Sequence, residues 1–262
     1  MSIAKQMAFA ALLAAGLLPF SARGQVYVWT PEQMIKYTAP NPYGRFPDGR
    51  PKVPDELLAK VKALSTTDAD LTHNGYQNQF VDTLQNLHPE KKLVGRAVTL
   101  QLAPARADVG DVIQADWRAK GNQRPIDHQT ALDTLGPGDV IVIDSFGSMP
   151  VGGIIGDNLA YYIWKKTGTG FVIDGPMRDL DGISEWDMPG FFLGVEPSFI
   201  HNTMVMGIDI PVRIGATTVM PGDVVLGDRN GVVFIPPHLV QGVVDAAAAR
   251  KVGQALPPAN PF

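Results

Sequence analysis

The chain has 262 residues, 45% of them hydrophobic and 18% charged, with a formal net charge of −4 and no cysteine. This is enough for one good-sized domain plus decoration, and it excludes disulfides, zinc–thiolate sites and cysteine nucleophiles. The negative balance and the lack of a long basic run argue against nucleic acid as a partner.

At the start, Lys5 precedes an uncharged apolar run from Met7 to Phe20. That run has the length of a signal-peptide core and falls short of the roughly 20 residues a membrane span needs. Ala22 and Gly24 stand at the −3 and −1 positions for cleavage before Gln25. The expectation is a signal peptide over 1–24 and an exported, periplasmic protein whose mature form has no membrane span. A buried N-terminal helix is the alternative for the same residues.

Residues 25–54 are rich in Pro, Tyr and Gly and read as an irregular N-terminal arm that wraps a neighbouring surface. From Asp55 to Leu64, Leu57, Leu58, Val61 and Leu64 fall on one helical face, with Asp55 as a cap candidate. Residues 65–76 suit a turn and a short helix. The alternating, β-branched stretch from Lys92 to Ala103 predicts a strand.

The pattern PGDV-x3-D-x2-G occurs twice, from Pro137 to Gly147 and from Pro221 to Gly231. Each copy reads as a turn feeding a short apolar strand that ends in a second tight turn. Two such units predict stacked sheets with helices outside. Residues 241–252 form an Ala-rich helix in this reading, and the tail to 262 is extended. A main domain over 55–252 thus follows the arm.

Between the two copies, Gly152, Gly153 and Gly156 open a helix that begins at Asp157. Glycines let a ligand approach the backbone closely, and the unpaired N–H groups of a helix start favour a carboxylate or phosphate. Glycine loops opening helices are also common without a ligand. Downstream, Gly170 to Ile173 reads as a buried strand and Asp174-Gly175-Pro176 as a turn. Arg178 and Asp179 then sit past a strand end, where α/β proteins collect polar groups. Such a pair is either a surface ion pair or a site: Asp179 ligating a hard metal through oxygen, Arg178 gripping an enolate or carboxylate oxygen.

Other constellations are weak. The five histidines, at 73, 88, 128, 201 and 238, lack metal-ligand spacing, although His73 and His201 lie in polar loops that could line a pocket. Asp127-His128 reads as a helix cap, Ser145 lacks a hydrolase elbow, and neither a dinucleotide nor an ATP glycine motif is present. Tyr161, Tyr162 and Trp164 read as packing residues.

An acid at Asp157, twenty residues, then Arg178-Asp179, with LVGRAVTL at 93–100, PGDVIVID at 137–144 and PGDVVLGDRNGVVFIP at 221–236, resembles the RraA-like family. That family includes class II 4-hydroxy-4-methyl-2-oxoglutarate aldolases with oxaloacetate decarboxylase relatives. The resemblance implies an α/β protein with the swivelling β/β/α fold, assembled as a homotrimer or hexamer with sites between subunits. It implies a metal-dependent lyase acting on a small 2-oxo acid through an enolate. Gly156, Asp157, Asn158 and Leu159 would hold the substrate carboxylate, Arg178 its keto or enolate oxygen, and Asp179 a Mg²⁺ or Mn²⁺ ion, with Asp157 acting through metal-bound water. In place of the family's usual basic residue after the glycine, this chain has Val195-Glu196, and its last acid is Asp245. Those departures leave two alternatives: a lyase or hydratase on an oxidised sugar-like metabolite, or a non-catalytic regulator of the kind that inhibits ribonuclease E.

Overall fold

Local capping and buried charge give the N-terminal arm more order than its composition suggests. The structure is a computed structural model that describes residues 28–147 and 150–255. The expected signal peptide and the end of the tail lie outside these residues. The arm begins with helix α1 (Pro31–Tyr37), started by a capping box in which Thr30 and Gln33 exchange side-chain-to-backbone hydrogen bonds. Strands β1 (Gly44–Arg45) and β2 (Pro51–Lys52) form a small hairpin. Here the reading of an irregular arm is corrected: a helix and a hairpin are seated on the body. Arg50 makes the anchor, donating to both carboxylate oxygens of Asp139 at 2.8 and 3.0 Å, with both residues buried. The Phe46 ring centroid lies 4.4 Å from the Arg50 guanidinium carbon.

Helix α2 (Asp55–Lys62) buries Leu57, Leu58 and Val61 as the sequence predicts. Its cap is Pro54, and Asp55 instead accepts from Arg96 at 2.8 Å. Two 3₁₀ turns at 66–69 and 72–74 lead to β3 (Phe80–Val81) and β4 (Gln85–Asn86). Then follow β5 (Leu93–Pro104), α3 (Ala107–Ala119), α4 (His128–Thr134), β6 (Asp139–Asp144), α5 (Asp157–Thr167), β7 (Phe171–Met177), α6 (Leu180–Ser184) and β8 (Gly190–Val195). The chain continues through β9 (Thr203–Ile208), β10 (Val212–Ile214), β11 (Thr217–Val219), β12 (Val224–Asp228) and β13 (Gly231–Ile235), and closes with α7 (Val240–Ala255). Asp127 caps α4 as expected, through a capping box with Thr130.

One mixed sheet carries the strand order β3-β13-β12-β5-β6-β7-β8-β4, with β9 also paired to β5. Strands β5 to β8 run parallel to one another. The period-2 alternation sorts side chains into layers. Val140, Val142 and Val172 point into an inner cluster shared with β10 to β13, while Ile141, Ile143 and Ile173 pack under α3 to α6. Val224, Leu226, Val233 and Ile235 form a third cluster with α2 and α7. The result is the α/β arrangement of sheet layers and outer helices that the sequence implies. Among the described residues no helix is long and apolar enough to cross a membrane.

The repeated motif has a structural meaning. Its two strands, β6 and β12, flank β5 on either side. In each copy the first aspartate closes the entry turn by accepting an N–H three residues back, Gly136 to Asp139 (2.9 Å) and Met220 to Asp223 (2.8 Å). The second aspartate closes the exit turn two residues on, from Phe146 to Asp144 and from Asn230 to Asp228, both at 2.8 Å.

Truncating Arg50 removes both guanidinium hydrogen bonds from the buried Asp139 and leaves it only the Gly136 N–H and a longer 3.8 Å approach of Arg96 Nε. Arg50→Ala should therefore destabilise the protein by about 3–5 kcal/mol, read as a lower urea midpoint. A midpoint within error of the unaltered protein would contradict the anchoring role.

Candidate functional site

Helix α5 starts without a side-chain cap. Gly156 is its N-cap in extended conformation, and the first helical bond runs from the Ala160 N–H to the Gly156 carbonyl (2.9 Å). The Asp157 carboxylate takes the Asn158 N–H at 2.7 Å, so the Asp157 and Leu159 N–H groups stand outside the helical ladder and face forward. This is the anion-favouring terminus expected from the glycine loop.

The loop ahead of α5 is fixed from two sides. On one, Ile154 N–H donates to the Pro176 carbonyl (2.9 Å) and Arg178 N–H to the Ile155 carbonyl (3.0 Å). On the other, Gly153 N–H donates to the Ser198 carbonyl and His201 N–H to the Val151 carbonyl, both at 2.8 Å. The expected turn at 174–176 does not form. Strand β7 continues through those residues to Met177, with a bulge against β8 between Ile173 and Pro176 that accommodates the proline. This extension delivers Arg178 and Asp179 beneath the glycine loop.

The approach is close. A methyl group on Gly156 would lie 2.5 Å from Asp179 Oδ2 and 3.0 Å from Arg178 Nε, and one on Gly153 would lie 2.6 Å from Arg178 Cβ. Arg178 Nη1 is 3.5 Å from Asp179 Oδ2, with the two side chains 37% and 36% exposed. Each therefore keeps a solvent-facing part free for a ligand. Asp179 has φ 60° and ψ 36°, left-handed for a residue with a side chain. Such a conformation costs about 1–3 kcal/mol and persists where surrounding contacts impose it. It caps α6 without a side-chain bond, which leaves its carboxylate turned to the loop. Asp157 lies at the same helix start and packs against α6, where a methyl on Gly182 would be 3.8 Å from its Oδ2.

Glu196 is a contributor that no spacing in the sequence marks. It lies 44 residues from Gly152 in the chain, yet its Oε2 accepts the Gly152 N–H at 2.7 Å while Oε1 accepts the Ser198 hydroxyl at 2.5 Å. The Ser198 hydroxyl first, then the Gly152 N–H, hold the Glu196 carboxyl below the usual range. Glu196 thus pins the glycine loop. His201 also meets this loop, with Nδ1 2.9 Å from the Phe199 carbonyl oxygen, and it lines a cavity of about 630 Å³ that also includes Arg106 and His128. His73 belongs to the separate turn at 72–74. Tyr161 and Tyr162 are 47% and 40% exposed, whereas Trp164 packs on the core as expected.

Among the described residues no three His, Asp or Glu side chains converge on one point. A metal at this site would have Asp179 as its protein ligand, with Asp157 next to it. A hard cation held by one or two carboxylates and several waters is the usual arrangement for Mg²⁺, so these residues fit such an ion.

The comparisons agree with the architecture. The family model for RraA-like proteins (Aldolase/RraA) matches residues 62–234, and the chain belongs to the RraA-like family. A Halalkalibacterium halodurans protein provisionally named 4-hydroxy-4-methyl-2-oxoglutarate aldolase is 27% identical over 196 residues, covering 75% of this chain and 84% of its own. The 4-hydroxy-4-methyl-2-oxoglutarate aldolase of Thermus thermophilus is 29% identical over 105 residues, which is 40% of this chain and 63% of the relative. Among solved structures, Streptomyces coelicolor RraAS2, described as an unusual member of the RNase ES inhibitor RraA protein family, superposes with a TM-score of 0.66 at 28% identity. That match covers 78% of this chain and 96% of RraAS2.

A methyl group at position 156 must push Asp179 and Arg178 apart. Displacements on the order of 1 Å can cost 10²-fold in rate. Gly156→Ala should thus lower kcat/KM by about 10²-fold while far-ultraviolet circular dichroism stays unchanged. Full activity in that variant would separate the close contact from function.

Proposed function

We propose that the protein is a divalent-metal-dependent carbon–carbon lyase that cleaves or decarboxylates a small 2-oxo acid, of the 4-hydroxy-4-methyl-2-oxoglutarate aldolase and oxaloacetate decarboxylase type. The observation that carries this reading is the contact of Arg178 and Asp179 with Gly156 at the head of α5. In it, the N–H groups at Asp157 and Leu159 hold the substrate carboxylate, Gly156 gives it room to approach, and Asn158, whose N–H is taken by Asp157, offers its side-chain amide. Arg178 donates to the 2-oxo oxygen, where negative charge grows as the bond breaks. In aldol cleavage the C3–C4 bond breaks, its electron pair passes into the enolate of pyruvate, and the 4-hydroxyl loses its proton. Decarboxylation places the same electron pair in the same enolate and releases carbon dioxide. C3 then takes up a proton in either case. A bound Mg²⁺ or Mn²⁺ supplies Lewis-acid stabilisation of the developing oxyanion. Asp179 would hold that ion, and Asp157 would act beside it through water. No lysine Schiff base is required.

The test follows pyruvate from oxaloacetate and from 4-hydroxy-4-methyl-2-oxoglutarate with Mg²⁺ or with EDTA. Pyruvate should form with the metal and cease with EDTA, and Arg178→Ala should lower the rate by about 10²–10³-fold. Metal-dependent turnover of an oxidised sugar-like acid alone would keep the lyase and change its substrate. No turnover of any of these would leave the second reading, a protein-binding regulator, which the likeness to RraAS2 favours.

We propose further that the mature protein starts at Gln25, is periplasmic and assembles as a homotrimer or hexamer. In a lone chain Arg178 and Asp179 are over a third exposed, so a neighbouring subunit has a site to cover. Protein from the periplasmic fraction should show Gln25 at its N-terminus and a trimeric or hexameric mass by light scattering. A cytoplasmic, full-length monomer would refute this.

A further inference from the structure

The two PGDV turns differ in what meets their buried aspartate. In the first, Asp139 Oδ1 and Oδ2 both receive the Arg50 guanidinium. In the second, Asp223 Oδ2 takes the Met220 N–H (2.8 Å), and Oδ1 has no protein hydrogen bond among the described residues. Asp223 is 2% exposed, yet it lines a cavity of about 320 Å³ between the arm and the body. No cation stands beside it: burial first pushes its carboxyl up, against the lowering effect of the Met220 N–H, to about 7. A buried carboxylate without a counter-charge is costly, and the first copy of the turn answers that cost with a guanidinium.

The rest of the cavity wall suits a compact organic cation. Tyr37 comes from α1, Tyr76 follows the second 3₁₀ turn, and His238 adjoins two prolines, Pro236 and Pro237. Tyr76 Oη lies 3.3 Å from His238 Nε2, which ties two of these walls together. Aromatic and apolar groups make most of the wall around this one acidic group, with Thr38, Asn41, Gln79 and Thr218 as neutral polar neighbours, a lining that favours an ammonium ion over a strongly hydrated metal ion. The volume lies at the small end of ligand pockets. None of the lining residues belongs to the Arg178–Asp179 site.

We propose that this cavity binds a small organic ammonium ion, primary or quaternary, with its charge against Asp223 Oδ1 and its carbon atoms against Tyr37, Tyr76 and Pro236. Such a ligand would stand to the second turn as Arg50 stands to the first, and would join the arm to the body.

Calorimetric titration of the mature protein with tetramethylammonium chloride or methylammonium chloride, against sodium chloride at equal ionic strength, tests this. At least one ammonium salt should give saturable one-to-one binding. Asp223→Asn keeps an oxygen for the Met220 N–H and should weaken that binding at least tenfold. Thr218→Trp changes an exposed residue at the cavity wall, leaves Asp223 in place, and should weaken binding to the same degree by filling space. Asp179→Ala should leave it unchanged, so the result stands apart from the lyase reading. Absence of saturable binding by the unaltered protein, equal binding in both cavity variants, or the same response to sodium would overturn the proposal.

Discussion

Where the loop ahead of α5 crosses the end of β7, positions 153 and 156 have no room for a side chain. A Cβ at Gly153 would lie 2.6 Å from Arg178 Cβ and one at Gly156 2.5 Å from Asp179 Oδ2, closer than Cβ atoms approach, with Arg178 Nε at a tight 3.0 Å from the latter. That contact brings a helix start with free N–H groups to a guanidinium and a carboxylate that lie more than twenty residues further along the chain. The left-handed backbone of Asp179 belongs to the same constraint, because an ordinary conformation there would carry the carboxylate away from the loop. Strand β7 reaches this far because its bulge absorbs Pro176 without ending the pairing with β8. The Pro176 carbonyl then serves the loop by accepting from Ile154.

A second constraint works at the opposite ends of the strands, where the PGDV turns lie. Each needs a buried aspartate to close it, and a buried aspartate needs either a partner or protonation. Asp139 has Arg50, with Arg96 Nε a further 3.8 Å away. Since Arg50 lies in the arm, neutralising the turn also seats residues 31–53 on the domain. The arm is thus tied to the body through a charge on the inner strand β6, and Phe46 covers the guanidinium that makes the tie.

Features whose determinants lie close together in the chain could be read from the sequence. Helix α2 showed in the spacing of Leu57, Leu58 and Val61, β5 in the alternation after Leu93, and the start of α5 in the glycines before Asp157. The repeated turns were legible because each aspartate acts over three residues or fewer. The seven residues of α1 were hidden because so short a helix shows little periodicity, although Thr30, Pro31 and Gln33 spell its cap. Gly175-Pro176 looked like a turn because sequence carries no sign of the neighbouring strand that holds it extended. Arg50 and Glu196 were not assigned their roles for a similar reason: their partners lie 89 and 44 residues away. At the site, Gly156, Arg178 and Asp179 were expected together and do touch, whereas the residue that pins Gly152 was known only as a departure from the family pattern.

Glu196 bears on the chemistry as well as on the loop. Asp157 and Asp179 stand at one helix start beside one guanidinium, and Glu196 adds a third carboxylate on the glycine loop that leads to it. With the helix terminus counted as about half a positive charge, one chain leaves this region with a net excess of negative charge. A bare site of that sign disfavours an anionic substrate, however well its N–H groups are aimed. In the lyase reading a divalent cation on Asp179 reverses the local sign, so the carboxylate of the 2-oxo acid and its cation enter as a matched pair. Metal would then govern binding as well as turnover. A second carboxylate on the substrate would have no further side-chain cation from these residues to meet, and would rely on the ion, on Arg178, or on a neighbouring subunit.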